Sequence, residues 1–269
     1  MGPMRHLIPF LPKEPHVAVL RLQGIISSGT RATGLSDVAL APLIERAFRR
    51  GKPAAVALSI NSPGGSPAQS SLMAARIRRL SDEKRVPVYA FVEDVAASGG
   101  YWLATAAEEI WADASSIVGS IGVISASFGL HEFLARHGIE RRVHTAGEDK
   151  SLLDPFRPER GEDVERLKHL QHQIHEAFIA QVRARRGSRL VEAEDLFSGK
   201  VWLGAEAQRL GLIDGIGHLV PKMRERFGRK VRFTRYVQRR PLFGRFAIEA
   251  LDAAGETMAE RLAYARYGL

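Results

Sequence analysis

Hydrophobic positions recur along this chain with two alternating periods. Val17 to Leu22 alternates and is rich in β formers, which predicts a strand that Gly24-Ile25-Ile26 continues. Ser36 to Arg50 follows the helical period, with Val38, Leu43, Ile44 and Ala47 on one face and Gly51 as its stop. Ala54 to Ile60 is a short, nearly unbroken apolar run, the pattern of a strand covered on both faces. The turn Asn61-Ser62-Pro63-Gly64-Gly65-Ser66 leads into a second helix from Pro67 to Leu80, then a buried strand from Val86 to Val92 and a helix from Gly100 to Ala107. Short strands are expected at Glu109 to Ala112, Ile117 to Ile124 and Arg141 to Thr145, and a helix from Phe128 to His137. The longest helical pattern is Asp163 to Arg186, where Val164, Leu167, Gln171, Ile174, Phe178 and Val182 trace one face and Gly187 closes it. Short helices at 192–196 and 204–210 precede Gly211-Leu212-Ile213-Asp214-Gly215-Ile216-Gly217. Beyond Phe227 the chain turns basic and then helical from Phe246 to Tyr267. Strands alternating with helices predict βαβ units and an α/β fold with a sheet of parallel character.

Composition narrows the function classes. The 269 residues, 45% hydrophobic and 26% charged, suit one large globular domain or a domain with an appendage. The absence of cysteine excludes disulfides and thiolate chemistry. The basic residues behind the net charge of +9 are scattered along the chain, some as pairs such as Arg49-Arg50, Arg78-Arg79 and Arg185-Arg186. No nucleic-acid-binding motif accompanies them, so a solvated basic surface is expected, with a peripheral membrane contact second and no nucleic-acid partner. No apolar run approaches 18 residues, and Pro9 and Pro12 interrupt the would-be core of a secretory signal. The expected location is cytoplasmic or at the membrane periphery. Met1 to Pro15 reads as a loose tail.

The candidate chemistry sits in three turns. Ala97-Ser98-Gly99-Gly100-Tyr101 places a serine between a strand and a helix, flanked by small residues that let a substrate backbone approach. Ser98 there is either an exposed nucleophile or an ordinary helix cap, and the stretch alone does not separate the two. Ser62-Pro63-Gly64-Gly65 and Gly119-Ser120-Ile121-Gly122-Val123 are turns of the kind that free backbone N–H groups beyond the ends of parallel strands. A nucleophilic serine needs a base. The histidines at 131, 137, 144, 169, 172, 175 and 218 all read as surface helix or strand ends; His169, His172 and Glu176 share a helix face that reads as solvated rather than metal-binding. Lys150, which follows a predicted strand and precedes the segment Leu152 to Phe156, is the alternative base if that segment covers it and Glu148 and Asp149 turn to solvent. On position alone Lys150 is one more loop lysine.

These blocks, together with Gly147-x-x-Lys150-Ser151 and Gly211-Leu212-Ile213-Asp214-x-Ile216-Gly217, occur in the order and approximate spacing of the bacterial signal peptide peptidase family, which this chain resembles over roughly Val17 to Leu219. The resemblance is to a short, single-domain form without a transmembrane anchor. It implies a crotonase/Clp-like α/β fold of repeated ββα units with a C-terminal helical extension, and a serine endopeptidase with a Ser-Lys dyad and no cofactor or metal. By the same resemblance Ser98 corresponds to the nucleophile, Lys150 to the general base, and the N–H groups of Gly65 and Gly99 to the oxyanion donors. Ser120 would hydrogen-bond the lysine amine. The catalytic domain would span residues 16–220, followed by a basic extension over 221–269. Members assemble into rings or domes in which nucleophile and base can come from adjacent chains, so a homo-oligomer acting on short apolar extended peptides, such as released signal peptides, is expected.

Three other readings compete. A crotonase-type acyl-CoA enzyme would use the glycine N–H groups on a thioester and would not need Ser98. A Clp-like triad would want a histidine shortly after the serine, where this chain has the Gly119 to Val123 turn. An inactive scaffold or membrane-surface binder would rely on the basic face and the C-terminal helix.

Overall fold

The computed structural model of the chain describes residues 14–28, 34–147, 150–238 and 261–269. Its framework is a sheet whose strands follow the apolar runs: β1 (His16–Gln23), β2 (Ala55–Ser62), β3 (Val88–Ala97), β4 (Glu109–Ala112), β5 (Ile117–Gly119), β6 (Val201–Leu203), β7 (Gly215–Ile216) and β8 (Arg232–Tyr236). The main path runs β6-β5-β3-β2-β1-β8, and β4 branches from β3 and pairs with β7. All pairings are parallel except β5 with β6. The long β3 pairs with β4 through Tyr89–Val92 and with β5 through Val95–Ala97, which splits the sheet just ahead of Ser98.

The helices are α1 (Asp37–Arg49), α2 (Pro67–Lys84), α3 (Gly99–Ala104), α4 (His131–Arg136), α5 (Gly161–Arg186), α6 (Gly204–Arg209) and α7 (Leu219–Phe227). Both faces of the sheet are covered, as the unbroken apolar run of β2 predicts; all eight of its residues are buried. On one face Leu20, Leu22, Leu58, Ile60, Val88 and Ala90 pack under α1, α2, α3 and the C-terminal half of α5. On the other, Val17, Val19, Ala57, Tyr89 and Phe91 meet Met223 of α7. The crotonase/Clp-like α/β architecture expected from the sequence is the one observed.

Several local expectations need correction. Strand β1 ends at Gln23, and Ile26 makes only isolated bridges with Leu35 and Gly65. On α1 the buried positions are Leu40, Ile44, Ala47 and Phe48, while Val38 faces solvent. The stretch 141–145 forms no strand, because no neighbouring strand offers a ladder to it, and 192–196 forms turns rather than a helix. The expected domain boundary at residue 220 falls inside α7, and β8 beyond it joins the sheet edge beside β1. The tail to residue 13 and most of the predicted helix at 246–267 lie outside the described residues; 261–265 is helical.

Candidate active site

Ser98 closes β3 and opens α3 with φ 51° and ψ −122°, a backbone conformation that a non-glycine residue adopts at a cost of about 1–3 kcal/mol. The surroundings over-determine it. The Ser98 N–H donates to the Gly119 carbonyl at 2.8 Å, and α3 behind it is buried at all six positions. Against it lies the turn after β2, itself held to the β1 exit: Ser62 Oγ donates to the Gly24 carbonyl, Ile26 N–H to the Gly64 carbonyl and Ser66 N–H to the Ile26 carbonyl. Gly64 shows how close the two turns are. It has φ 100°, and a Cβ there would lie 2.8 Å from Ala97 O, Gly99 N and Ser98 Cβ. Only glycine fits.

Gly65, Ser98 and Ser120 line one open cleft of about 860 Å³, together with Gly122, Val123 and the α5 residues Leu167, Leu170, Gln171, Ile174 and His175. Gly99 lies at the first position of α3, where its N–H has no intrahelical acceptor. Four of the five expected site residues therefore gather at the serine turn. Lys150 does not join them. It is solvent-exposed, does not line the cleft, and is not covered by the segment after it, contrary to the condition placed on it from sequence; Glu148 and Asp149 lie outside the described residues. The chain from Ile124 to Ile139 is similarly bare, with Phe128 84% and Phe133 56% exposed.

One cleft residue escaped the sequence reading. His175, taken as a surface helix position, places its Nε2 3.0 Å from the Ile121 carbonyl and faces the serine cleft. No local pattern marks it, since the bond spans 54 residues. His169 instead meets Gln173, and His172 and Glu176 remain in solvent. The C-terminal segment also reaches the site: Tyr264 Oη donates to the Asn61 carbonyl at 2.6 Å, and Arg266 and Tyr267 line the cleft.

The Gly211–Gly217 block holds the scaffold rather than the cleft. Asp214 accepts from Arg186 Nη1 at 2.7 Å, Arg189 Nη1 at 3.2 Å and the Ile110 N–H at 2.7 Å. Burial alone would raise the Asp214 carboxyl, but the hydrogen bonds from Arg186 and Ile110 and the charges of Arg186 and Arg189 outweigh it and hold the group below its ordinary value. Arg186 also donates to the Gly211 carbonyl, and Tyr101 Oη, buried within α3, donates to the Leu212 carbonyl. Burial pushes the Tyr101 phenol up, so it stays a donor. The block thus ties the end of α5 to the helix that begins at Ser98.

Known proteins resemble this chain in sequence and fold. The chain is 51% identical over 249 residues to a Brucella melitensis protein named Na(+)/H(+) antiporter NhaA, an alignment covering 91% of this chain and 34% of that protein. It is 36% identical over 212 residues to the chloroplastic serine protease SPPA of Arabidopsis thaliana, covering 76% of this chain and 31% of the relative. The chain therefore spans about a third of the length of these relatives. A solved structure, the 1510-N membrane-bound stomatin-specific protease, superposes with a TM-score of 0.50 at 15% identity over 83% of this chain and 98% of the other, a likeness of fold. Residues 81–225, more than half of the chain and the part that holds Ser98, Ser120, Lys150 and the Asp214 clamp, match Peptidase family S49. That match shows the family: the chain belongs to Peptidase family S49.

Proposed function

We propose that the chain is a serine endopeptidase that cleaves short, apolar, extended peptides, such as released signal peptides, with a Ser98–Lys150 dyad. The observation that carries this reading is the conformation of Ser98, held at positive φ on the wall of an open cleft with two glycine turns against it. Ser98 Oγ attacks the scissile carbonyl, and neutral Lys150 takes its proton and returns it to the leaving amine. The N–H groups of Gly65 and Gly99 stabilise the tetrahedral oxyanion, and Ser120 hydrogen-bonds the lysine amine.

Lys150 acts on the serine of a neighbouring copy in this proposal. A lysine becomes a base by shedding its proton, which desolvation favours, and in a single chain Lys150 is exposed. The bare apolar side chains of Ile124, Phe128, Phe133 and Ile139 provide the surface that a neighbour would bury while carrying the lysine into its cleft. The net charge of +9 supports a peripheral contact with an anionic membrane surface. Among the described residues no helix is long and apolar enough to cross a membrane.

A serine-directed phosphonate tests the reading. Expected are an adduct on Ser98, its loss in Lys150→Ala, and a native mass that is a multiple of the chain mass. Full labelling and turnover in Lys150→Ala would overturn the dyad. A second reading, Ser98 with His175 as base, is favoured by one observation, the place of His175 on the cleft wall. It would be recognised by turnover that survives Lys150→Ala and disappears in His175→Gln.

A further inference from the structure

The structure assigns His175 a positioning role in peptide binding: its Nε2–H anchors the Ile121 carbonyl and so holds the cleft wall from Ser120 to Ile124 in place. This rests on the peptidase reading of the same cleft. The geometry begins with the path of α5. Its C-terminal half is locked to the body: Phe178, Ile179 and Val182 are buried, Phe178 stacks on Trp102 of α3 at 4.8 Å, and Gln181 and Arg185 donate to the hydroxyl and carbonyl of Thr105. Its N-terminal half departs, with Leu170 and Ile174 exposed. His175 stands one turn before Phe178, at the point of departure, and is the residue there that reaches across to the loop after Ser120.

That loop needs an anchor. The Ser120 N–H donates to the Lys200 carbonyl at 2.7 Å and Ile121 is fully buried, but from Gly122 onward the wall has no ladder of its own before Leu130. A carbonyl has no proton to give, so the Nε2 that meets Ile121 is the protonated nitrogen of the ring, and in the neutral ring Nδ1 is left as an acceptor. No carboxylate is among the described residues lining the cleft, whose side chains include as possible acceptors the His175 ring, the Gln171 amide oxygen and several hydroxyls. Nε2, which carries the proton donated to Ile121, has no free lone pair and cannot itself take a proton from Ser98. The role this bond supports is that of an anchor for the wall against which an extended peptide would lie, and the kcat and affinity readouts below separate it from proton transfer.

The test is a steady-state comparison of the full-length wild type with His175→Ala and His175→Gln on a fluorogenic apolar peptide, with Lys150→Ala alongside. The same peptide is titrated onto these variants in a Ser98→Ala background. Removal of the anchor is expected to raise KM and the peptide dissociation constant about tenfold, with kcat changed less than about threefold. Glutamine, whose amide can donate to the same carbonyl but cannot act as a base, is expected to restore most of the loss. Unchanged peptide affinity in His175→Ala would overturn the inference while leaving the dyad intact. A kcat collapse of about 10²-fold or more in both variants, with Lys150→Ala active, would make His175 the base and overturn both. Affinity in the Ser98→Ala background reports on His175 whether or not Ser98 is the nucleophile.

Discussion

The serine turn and the Lys150 loop are opposite kinds of structure in one chain. Around Ser98, backbone strain is held by the bond to Gly119, by close packing against the 62–66 turn, itself bonded to 24–26, and by a helix buried at every position. Around Lys150, apolar side chains from Ile124 to Ile139 stand in solvent and the lysine has no cover. A nucleophile with its oxyanion donors can be organised fully within a monomer, because glycine turns and parallel strands supply them locally. The lysine base of the proposed dyad would instead need desolvation that this loop does not provide for itself. Under the proposed dyad, the contrast separates what folding supplies from what a neighbouring copy would supply.

The strongest test of that contrast is chemical. Ser98→Ala is expected to reduce peptide turnover by at least about 10⁴-fold with the melting temperature unchanged, as measured by fluorogenic cleavage and thermal unfolding. Lys150→Ala should be similarly inactive, and mixing the two inactive variants under conditions that exchange subunits should recover activity. Recovery would confirm a dyad shared between chains, and a mixture that stays silent while each variant assembles normally would break it.

Next in size is the clamp behind the serine turn. Asp214→Ala leaves Arg186, 2% exposed, without its ion-pair partner, and should lower stability by about 3–5 kcal/mol in denaturant unfolding. The sign of its pH dependence follows from the depressed carboxyl: its contribution is complete above the ordinary carboxylate range and is lost as pH falls through the lower folded value. The acid limb of the stability profile below about pH 4 should therefore flatten in Asp214→Asn.

Gly64→Ala should separate fold from geometry. Its methyl would press on Ser98 Cβ and Gly99 N, so a loss of about 10²-fold in kcat/KM is expected with a destabilisation of only about 1–3 kcal/mol. The smallest effect on the fold should come from the other region. Phe128→Ser, at a position 84% exposed, should change unfolding by less than about 0.5 kcal/mol yet lower the native mass of the assembly. A stable variant that keeps its native mass and activity would show that this loop is not an intersubunit surface.

How far the sequence could be read differs between these regions. The apolar run of β2, the helix that ends near Arg50, and the glycine-flanked serine were all legible, since each depends on residues within a few positions. The strand expected at 141–145 and the cover expected over Lys150 were not, because β-formers and apolar residues also occur where no described segment pairs with them or covers them. The block from Gly211 to Gly217 could be noticed as a motif, but its work as a clamp on Arg186 and Tyr101 emerged only from contacts across 28 and 111 residues.

By itself, then, the sequence determined the α/β class, the order of turns and the place of the serine between a strand and a helix, because hydrophobic period and glycine placement act over short stretches. Only the tertiary structure decided that β8 closes the sheet edge beside β1, that His175 faces the serine cleft, and that Lys150 stands apart from it. Those outcomes depend on which distant segments meet, and no local pattern of residues encodes a meeting of that kind.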